Sequence, residues 1–475
     1  MHEFASLQAP DLEDYHLSWQ IDRQTPAVTC RFRSLRVLLV SHWFPPANVI
    51  GAVRVGKFAG YLHEAGHDVR VIAAPGEGDQ SLALEFPASR VAYARGWAVD
   101  QKFDGLAKLV RRLLADTSGG GAMRHAPAGD AVAGQRSGLK ARQRTSISDT
   151  LARHYAALTR IPDARAGWIG AATAAGRGIV RAWRPDIVFA SAPPYSGLIA
   201  ASRIARACGA PWIAELRDLW ADNTYHHDPG WRLCVDRLLE RLTLGSAAGL
   251  VTVTPRWAES LRRRYGQPIA CVLNGYVEED FPASPPKPPP GEVVSLLYTG
   301  GIYPGYRDPS PLFRAIAGLG AERDRVAVHF YGPPPAAVSP LSAEHGVADR
   351  VFVHDPVSYK ASLALQASAD VLLLMQWNNQ KDAGNVPGKF FEYLGARRPI
   401  LMIGYEHGDL AAMIRERAAG FVANDPVAIA RQLRAWIAQK SFGIAAVAPQ
   451  ARAGMTRAEQ YSKLEQFLTG ISLAA

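Results

Sequence analysis

Cysteine is scarce. The four residues, Cys30, Cys208, Cys234 and Cys271, stand far apart with no C-x-x-C pair. That excludes a disulfide framework and a paired-cysteine zinc site, and it points to a reducing compartment. No run approaches the roughly 18 consecutive apolar residues of a membrane-spanning helix, and the polar opening MHEFASLQAPDLEDYHLSWQIDRQ lacks the apolar centre of a signal peptide. The expectation is a chain neither exported by that route nor embedded, hence cytoplasmic. No G-x-G-x-x-G follows the first candidate strand, which disfavours a dinucleotide dehydrogenase. Acid is in the minority: 53 Lys and Arg against 43 Asp and Glu leave a net charge of +10, which favours anionic partners such as nucleotides or acidic lipids. The basic residues are not interleaved with aromatics, and no nucleic-acid module is recognisable, so nucleic acid is not an expected partner. No set of His, Asp and Glu has metal-ligand spacing, and no repeat recurs at a period of about 20 to 50 residues.

What is present is alternation. A chain of 475 residues exceeds the usual single core and suggests two α/β domains of roughly 200 residues each. Residues 1–34 have no sustained period and read as a flexible extension. LRVLLV (35–40), DVRVIAA, a strand near 89–95, DIVFAS (186–191), WIAEL (212–216) and GLVTVT (249–254) are short apolar runs separated by helical stretches, the pattern of a doubly wound parallel sheet over 35–281. Between them lies a basic insertion, about 98–150. In its 102–114 stretch Leu106, Leu109, Val110, Leu113 and Leu114 share one helical face and Lys108, Arg111 and Arg112 the other. That pattern suits an acidic membrane surface, and it also suits an ordinary helix packed on its own domain. The proline cluster at 282–292 cannot continue a helix or a central strand and marks a linker. After it, VVSLLY, VAVHFY, RVFV, DVLLLM and PILMI predict a second Rossmann-like sheet over 293–449, and 450–475 reads as a helix packing back on the first domain.

In two facing α/β sheets ligands bind at the carboxyl ends of strands, so the loops there hold the candidate site. SHWFPPANVIGAVRVGKF (41–58) offers Gly51 before a helix and Arg54 one turn in, an acceptor or phosphate loop. ELRDLWADN (215–223) gathers Glu215, Arg217, Asp218 and Asp222, which either pair internally or face a substrate. YTGGIYPGYRDP (298–309) bares backbone at Gly300, Gly301 and Gly305 and adds the fixed charge of Arg307. In NVPGKFFEYLGARRPIL (385–401), Pro387 suits a first helical turn and Gly388 admits a ligand close to the backbone. Unsatisfied amides, the helix dipole and Lys389 then suit a phosphate, with Glu392 about one turn further in.

These loops resemble those of the GT-B glycosyltransferases, specifically family 4-like enzymes, over residues from about 35 to 470. HWFPPANVIGAVR is similar to that family's first loop, VTVTPRWAESL with VLNGYVEEDF to the end of its first domain, and PGKFFEYLGARRPIL to the latter half of its E-x7-E motif. The resemblance implies a GT-B fold of two facing Rossmann-like domains and a retaining transfer from a nucleotide-diphospho-sugar without a metal or other cofactor. It further implies work on a glycan or lipid-linked acceptor in bacterial cell-envelope or exopolysaccharide synthesis, peripheral on the inner face of the membrane. By the same resemblance Glu392 holds the ribose hydroxyls, the backbone from Val386 to Lys389 holds the diphosphate, and Gly301, Arg307 and Lys389 complete the donor site. The pattern departs in two places. Gly384 stands where the family often has a sugar-contacting Glu, with Asp382 or Asn385 as substitutes; Arg217 stands where many members have His, with Asp218 in register. The alternatives are a nucleotide-sugar epimerase of the same fold, or a non-catalytic nucleotide-sugar or membrane-binding protein.

Overall fold

A computed structural model describes residues 33–97, 154–155, 157–223, 229–282, 291–303 and 305–474. The expected N-terminal extension up to residue 32, the 98–150 insertion with its 102–114 helix, and most of the proline-rich linker lie outside the described residues. The first lobe is built on β1 (Arg36–Val40), β2 (Asp68–Ala73), β3 (Val91–Tyr93), β4 (Ile187–Ala192), β5 (Trp212–Leu216), β6 (Gly249–Thr252) and β7 (Ile269–Cys271). The second is built on β8 (Val294–Thr299), β9 (Val326–Tyr331), β10 (Val351–His354), β11 (Val371–Met375), β12 (Ile400–Ile403) and β13 (Gly420–Val422). Every pairing is parallel, with Val37 opposite both Val69 and Ile187, and Leu296 opposite both Val328 and Val371.

The strand orders are β3-β2-β1-β4-β5-β6-β7 and β10-β9-β8-β11-β12-β13. In each sheet the order reverses beside the first strand, between β1 and β4 and between β8 and β11, and the crevice at such a reversal is where doubly wound folds take ligands. β4, β5, β11 and β12 are buried along their whole length because helices cover both faces, which is why they read as unbroken apolar runs. The helices that bear on the site are α1 (Ile50–Glu64), α2 (Pro255–Arg262), α3 (Tyr359–Ser368), α4 (Gly388–Ala396), α5 (Asp409–Glu416) and α6 (Arg457–Ala474).

Helix α6 follows the second lobe in sequence, yet its Tyr461, Leu464 and Leu468 sit in the first lobe's core with Phe58 and Phe189. Polar contacts fix its register. Tyr461 Oη donates to the Arg54 carbonyl at 3.0 Å, Tyr61 Oη to Glu465 at 2.7 Å, and Gln460 accepts from the Leu273 N–H at 2.8 Å. His67 Nδ1 accepts from the Leu35 N–H, so its proton lies on Nε2 and is donated to Glu465 at 3.0 Å. The chain passes between lobes twice, and the two passages run side by side through a parallel bridge of Tyr276 with Thr456. Among the described residues no helix is long and apolar enough to cross a membrane.

Candidate active site

The loop after β8 and the mouth of α4 come together. Gly300 has φ +111°, which glycine adopts without strain, and a Cβ there would lie 2.6 Å from Lys389 Nζ. The Lys389 ammonium also lies 5.5 Å from the centre of the Tyr298 ring. Arg307 is held in place by the same tyrosine: its Nη1 donates to Tyr298 Oη at 3.2 Å and to the Gly301 carbonyl at 2.8 Å, and its guanidinium covers the Tyr303 ring. Its Nε and Nη2 have no acceptor among the described residues. Burial first, and then the charge of Arg307, push the Lys389 pKa down to about 8, against the opposing pull of Glu392. Two cations thus crowd a half-buried spot.

That spot lies at a helix start. Pro387 caps α4 in extended backbone, and no acid stands in the first turn. The Phe390 N–H bonds to the Pro387 carbonyl at 3.0 Å, while those of Gly388 and Lys389 have no acceptor among the described residues. The positive helix end therefore adds to the two cations. One turn in, Glu392 Oε2 accepts from Gln366 Nε2 at 3.2 Å, and Oε1 has no partner among the described residues. Gln366, on α3, is buried and also reaches Thr299 Oγ1 at 3.1 Å, which fixes the carboxylate against the end of β8. Asp382 and Asn385 meet each other, Asn385 Nδ2 donating to Asp382 Oδ1 at 3.2 Å, and Gln376 ties down both of their carbonyls. Val386 is buried beneath this loop.

On the first lobe, Arg217 bends back over α1. Its Nη2 donates to the Pro193 carbonyl at 2.6 Å and its Nε to that of Ala192 at 3.2 Å, at the end of β4. A Cβ on Gly51 would lie 2.8 Å from Arg217 Nη1, so the glycine is what lets the guanidinium cover the helix start. Burial lowers the Arg217 pKa against the attraction of Glu215 and Asp218. The expectation for Arg54 is corrected. It is buried, its Nε and Nη2 bind Glu215 at 3.0 and 2.7 Å, and Nη1 and Nη2 also bind Asn274 Oδ1 and the Val272 and Leu273 carbonyls. A guanidinium so engaged has nothing left for a substrate anion. Glu215 pairs internally in the same way, its second oxygen accepting from Ser191 at 2.5 Å, and Asp222 pairs with Arg264 at 3.0 Å.

The structure also explains the absent acid at 384. A Cβ on Gly384 would lie 2.5 Å from Nε1 and 2.6 Å from Cδ1 of Trp257, an indole carried by α2 of the other lobe. Its neighbour Arg256 donates its backbone N–H to Asp409 at 3.0 Å and its guanidinium to the same carboxylate and to the His407 carbonyl. Tyr298, Gln366 and Trp257 escape sequence reasoning because each looks like a core or surface residue until its distant partner is placed. Among the described residues no three His, Cys, Asp or Glu side chains are grouped to hold a metal.

Residues 51–276 match the family model described as a glycosyl transferase 4-like domain. Among solved structures, the sucrose-phosphate synthase of Thermosynechococcus elongatus superposes with a TM-score of 0.58 at 13% identity, over 93% of this chain and 100% of that one. A glycosyltransferase of Rickettsia africae ESF-5 gives 0.55 at 13% identity, over 93% and 99% of the two chains. Anabaena HepE in complex with UDP-glucose gives 0.55 at 12% identity, over 92% and 100%. At such identities the superpositions establish the fold: GT-B, as the sequence resemblance implies. The chain therefore joins a glycosyl transferase 4-like domain over residues 51–276 to a GT-B fold. No curated protein sequence matches the chain.

Proposed function

We propose that the protein transfers a sugar from a nucleoside-diphospho-sugar to a hydroxyl of a glycan or lipid-linked acceptor, with retention and without a metal, in cell-envelope or exopolysaccharide synthesis. The observation that carries this reading is the positive charge gathered at the α4 mouth. Lys389, beside Gly300 and in the field of Arg307, stands in a first turn that holds no acid and whose Gly388 and Lys389 amides have no acceptor among the described residues, an arrangement costly in itself and suited to a diphosphate. Glu392, one turn deeper, presents a carboxylate oxygen to the ribose. The solved HepE relative was crystallised with UDP-glucose, which supports a donor of this class.

In the transfer, the bond from the anomeric carbon to the β-phosphate oxygen breaks, and the acceptor oxygen bonds to that carbon on the same face. The acceptor proton passes to the departing phosphate oxygen. Negative charge grows on that phosphate as it leaves, so Lys389, Arg307 and the α4 amides stabilise the transition state more than the ground state. This route needs no side-chain base. Arg217 and Asp218 bound the acceptor side at the end of β5, where Arg217 over the Gly51 helix start offers a second positive site. The test is turnover in EDTA followed by NMR of the product's anomeric proton. Undiminished turnover with the donor's anomeric configuration supports the reading. Loss restored by Mg²⁺ or Mn²⁺, or an inverted product, contradicts it.

A further inference from the structure

We propose that Trp257, from the acceptor-side lobe, is a donor-specificity residue: its indole N–H takes the place that a side chain at 384 would fill and contacts an oxygen of the donor sugar. This rests on the reading of the α4 mouth as a donor site, and it deepens that reading. Along the second-lobe loop the order from inside out is Glu392 for the nucleoside, Gly388 and Lys389 for the phosphates, then Asn385 and Gly384. The sugar must lie beyond the phosphates on the side that faces the acceptor lobe. Gly384 is on that side, because it is where this loop touches the first lobe.

Three observations make the contact specific. The atom of Trp257 nearest to the missing Cβ is Nε1, at 2.5 Å, so the N–H edge of the ring meets the loop. That N–H has no acceptor among the described residues and is not shut away from solvent, so it is free to donate to a ligand. The ring is also firmly placed: it packs on the first lobe's core, and the adjoining Arg256 is tied to Asp409 at the start of α5, whose own N–H bonds to the Ala383 carbonyl at 2.7 Å. Where a carboxylate at 384 would accept hydrogen bonds from sugar hydroxyls, this site donates one. A donor sugar that offers an acceptor oxygen there, such as an acyl carbonyl, fits best, and the contact forms with both lobes in place.

The experiment compares wild type, Trp257→Phe and Trp257→Ala by calorimetric titration with a nucleoside diphosphate and with the matching nucleotide-sugar, together with melting curves. The phenylalanine variant keeps the packing and lacks the N–H, so its melting should stay close to wild type. Loss of one hydrogen bond is expected to weaken nucleotide-sugar binding by about fivefold in Trp257→Phe, and loss of the ring by about tenfold or more in Trp257→Ala, with the sugar-free diphosphate unaffected in both. Unchanged nucleotide-sugar affinity in both variants, or equal losses for both ligands, overturns the proposal. If wild type binds neither ligand, the donor-site reading fails and this proposal fails with it.

Discussion

Lys389 shows how much of the account rests on a single side chain. Burial and Arg307 bring its pKa down to about 8 in the unliganded protein, so the fold carries a protonation penalty at lower pH that is relieved as pH rises through that value. A bound diphosphate reverses the preference by giving the ammonium a partner. The donor kcat/KM, which reports the free enzyme, is therefore expected to be level below about pH 8 and to fall above it. In Lys389→Arg the charge persists, so the descending limb should move up by two or more pH units, in line with a guanidinium pKa above about 12. A profile that falls at the same pH in both proteins would assign the titration to another group. Legibility at this scale followed local context. Pro387, Gly388 and Lys389 announce a helix mouth because proline, glycine and lysine each have a local reason to be there. Arg54 shows only a charge in the sequence, and its true partner, Glu215, lies 161 residues away.

Elements explain what Arg54 does instead. It joins α1 to β5 through Glu215, and the carbonyls it binds at Val272 and Leu273 follow β7, while its own carbonyl receives α6 through Tyr461. Truncating one partner of such a pair strands the other charge in the core. Arg54→Met is expected to cost about 3 to 5 kcal/mol of stability by denaturant titration, and adding Glu215→Gln should recover much of the loss. A loss below about 1 kcal/mol, the scale of a surface pair, would contradict the role given to this contact. The longer strands were legible because burial on both faces writes them as apolar runs: LRVLLV, WIAEL, DVLLLM and PILMI mark β1, β5, β11 and β12. β7 and β13 were not legible. Each has three residues, IAC and GFV, lies at a sheet edge and is only partly buried, so no run distinguishes it from loop.

The whole molecule places Lys389 and Arg307 together on one lobe and Arg217 over α1 on the other, in a chain of net charge +10. A lipid-linked acceptor would be met at an acidic surface, so the purified protein is expected to co-sediment with anionic vesicles at low ionic strength and to be released by salt. Indifference to those vesicles would remove the membrane from the proposal and leave a soluble acceptor. The central claim is that the α4 mouth holds a nucleoside-diphospho-sugar, and ligand-induced stabilisation measures it most directly. Across a panel of nucleotide-sugars at about 100 times the dissociation constant, the bound wild type should gain roughly 2.7 kcal/mol, read as a rise in Tm. Glu392→Gln keeps size and helix propensity and should melt unchanged when unliganded. It loses a charged acceptor worth about 1.5 to 3 kcal/mol per hydrogen bond, so most of the ligand-induced rise should vanish. A rise of the same size in Glu392→Gln and wild type, or no rise with any nucleotide-sugar, would contradict the account.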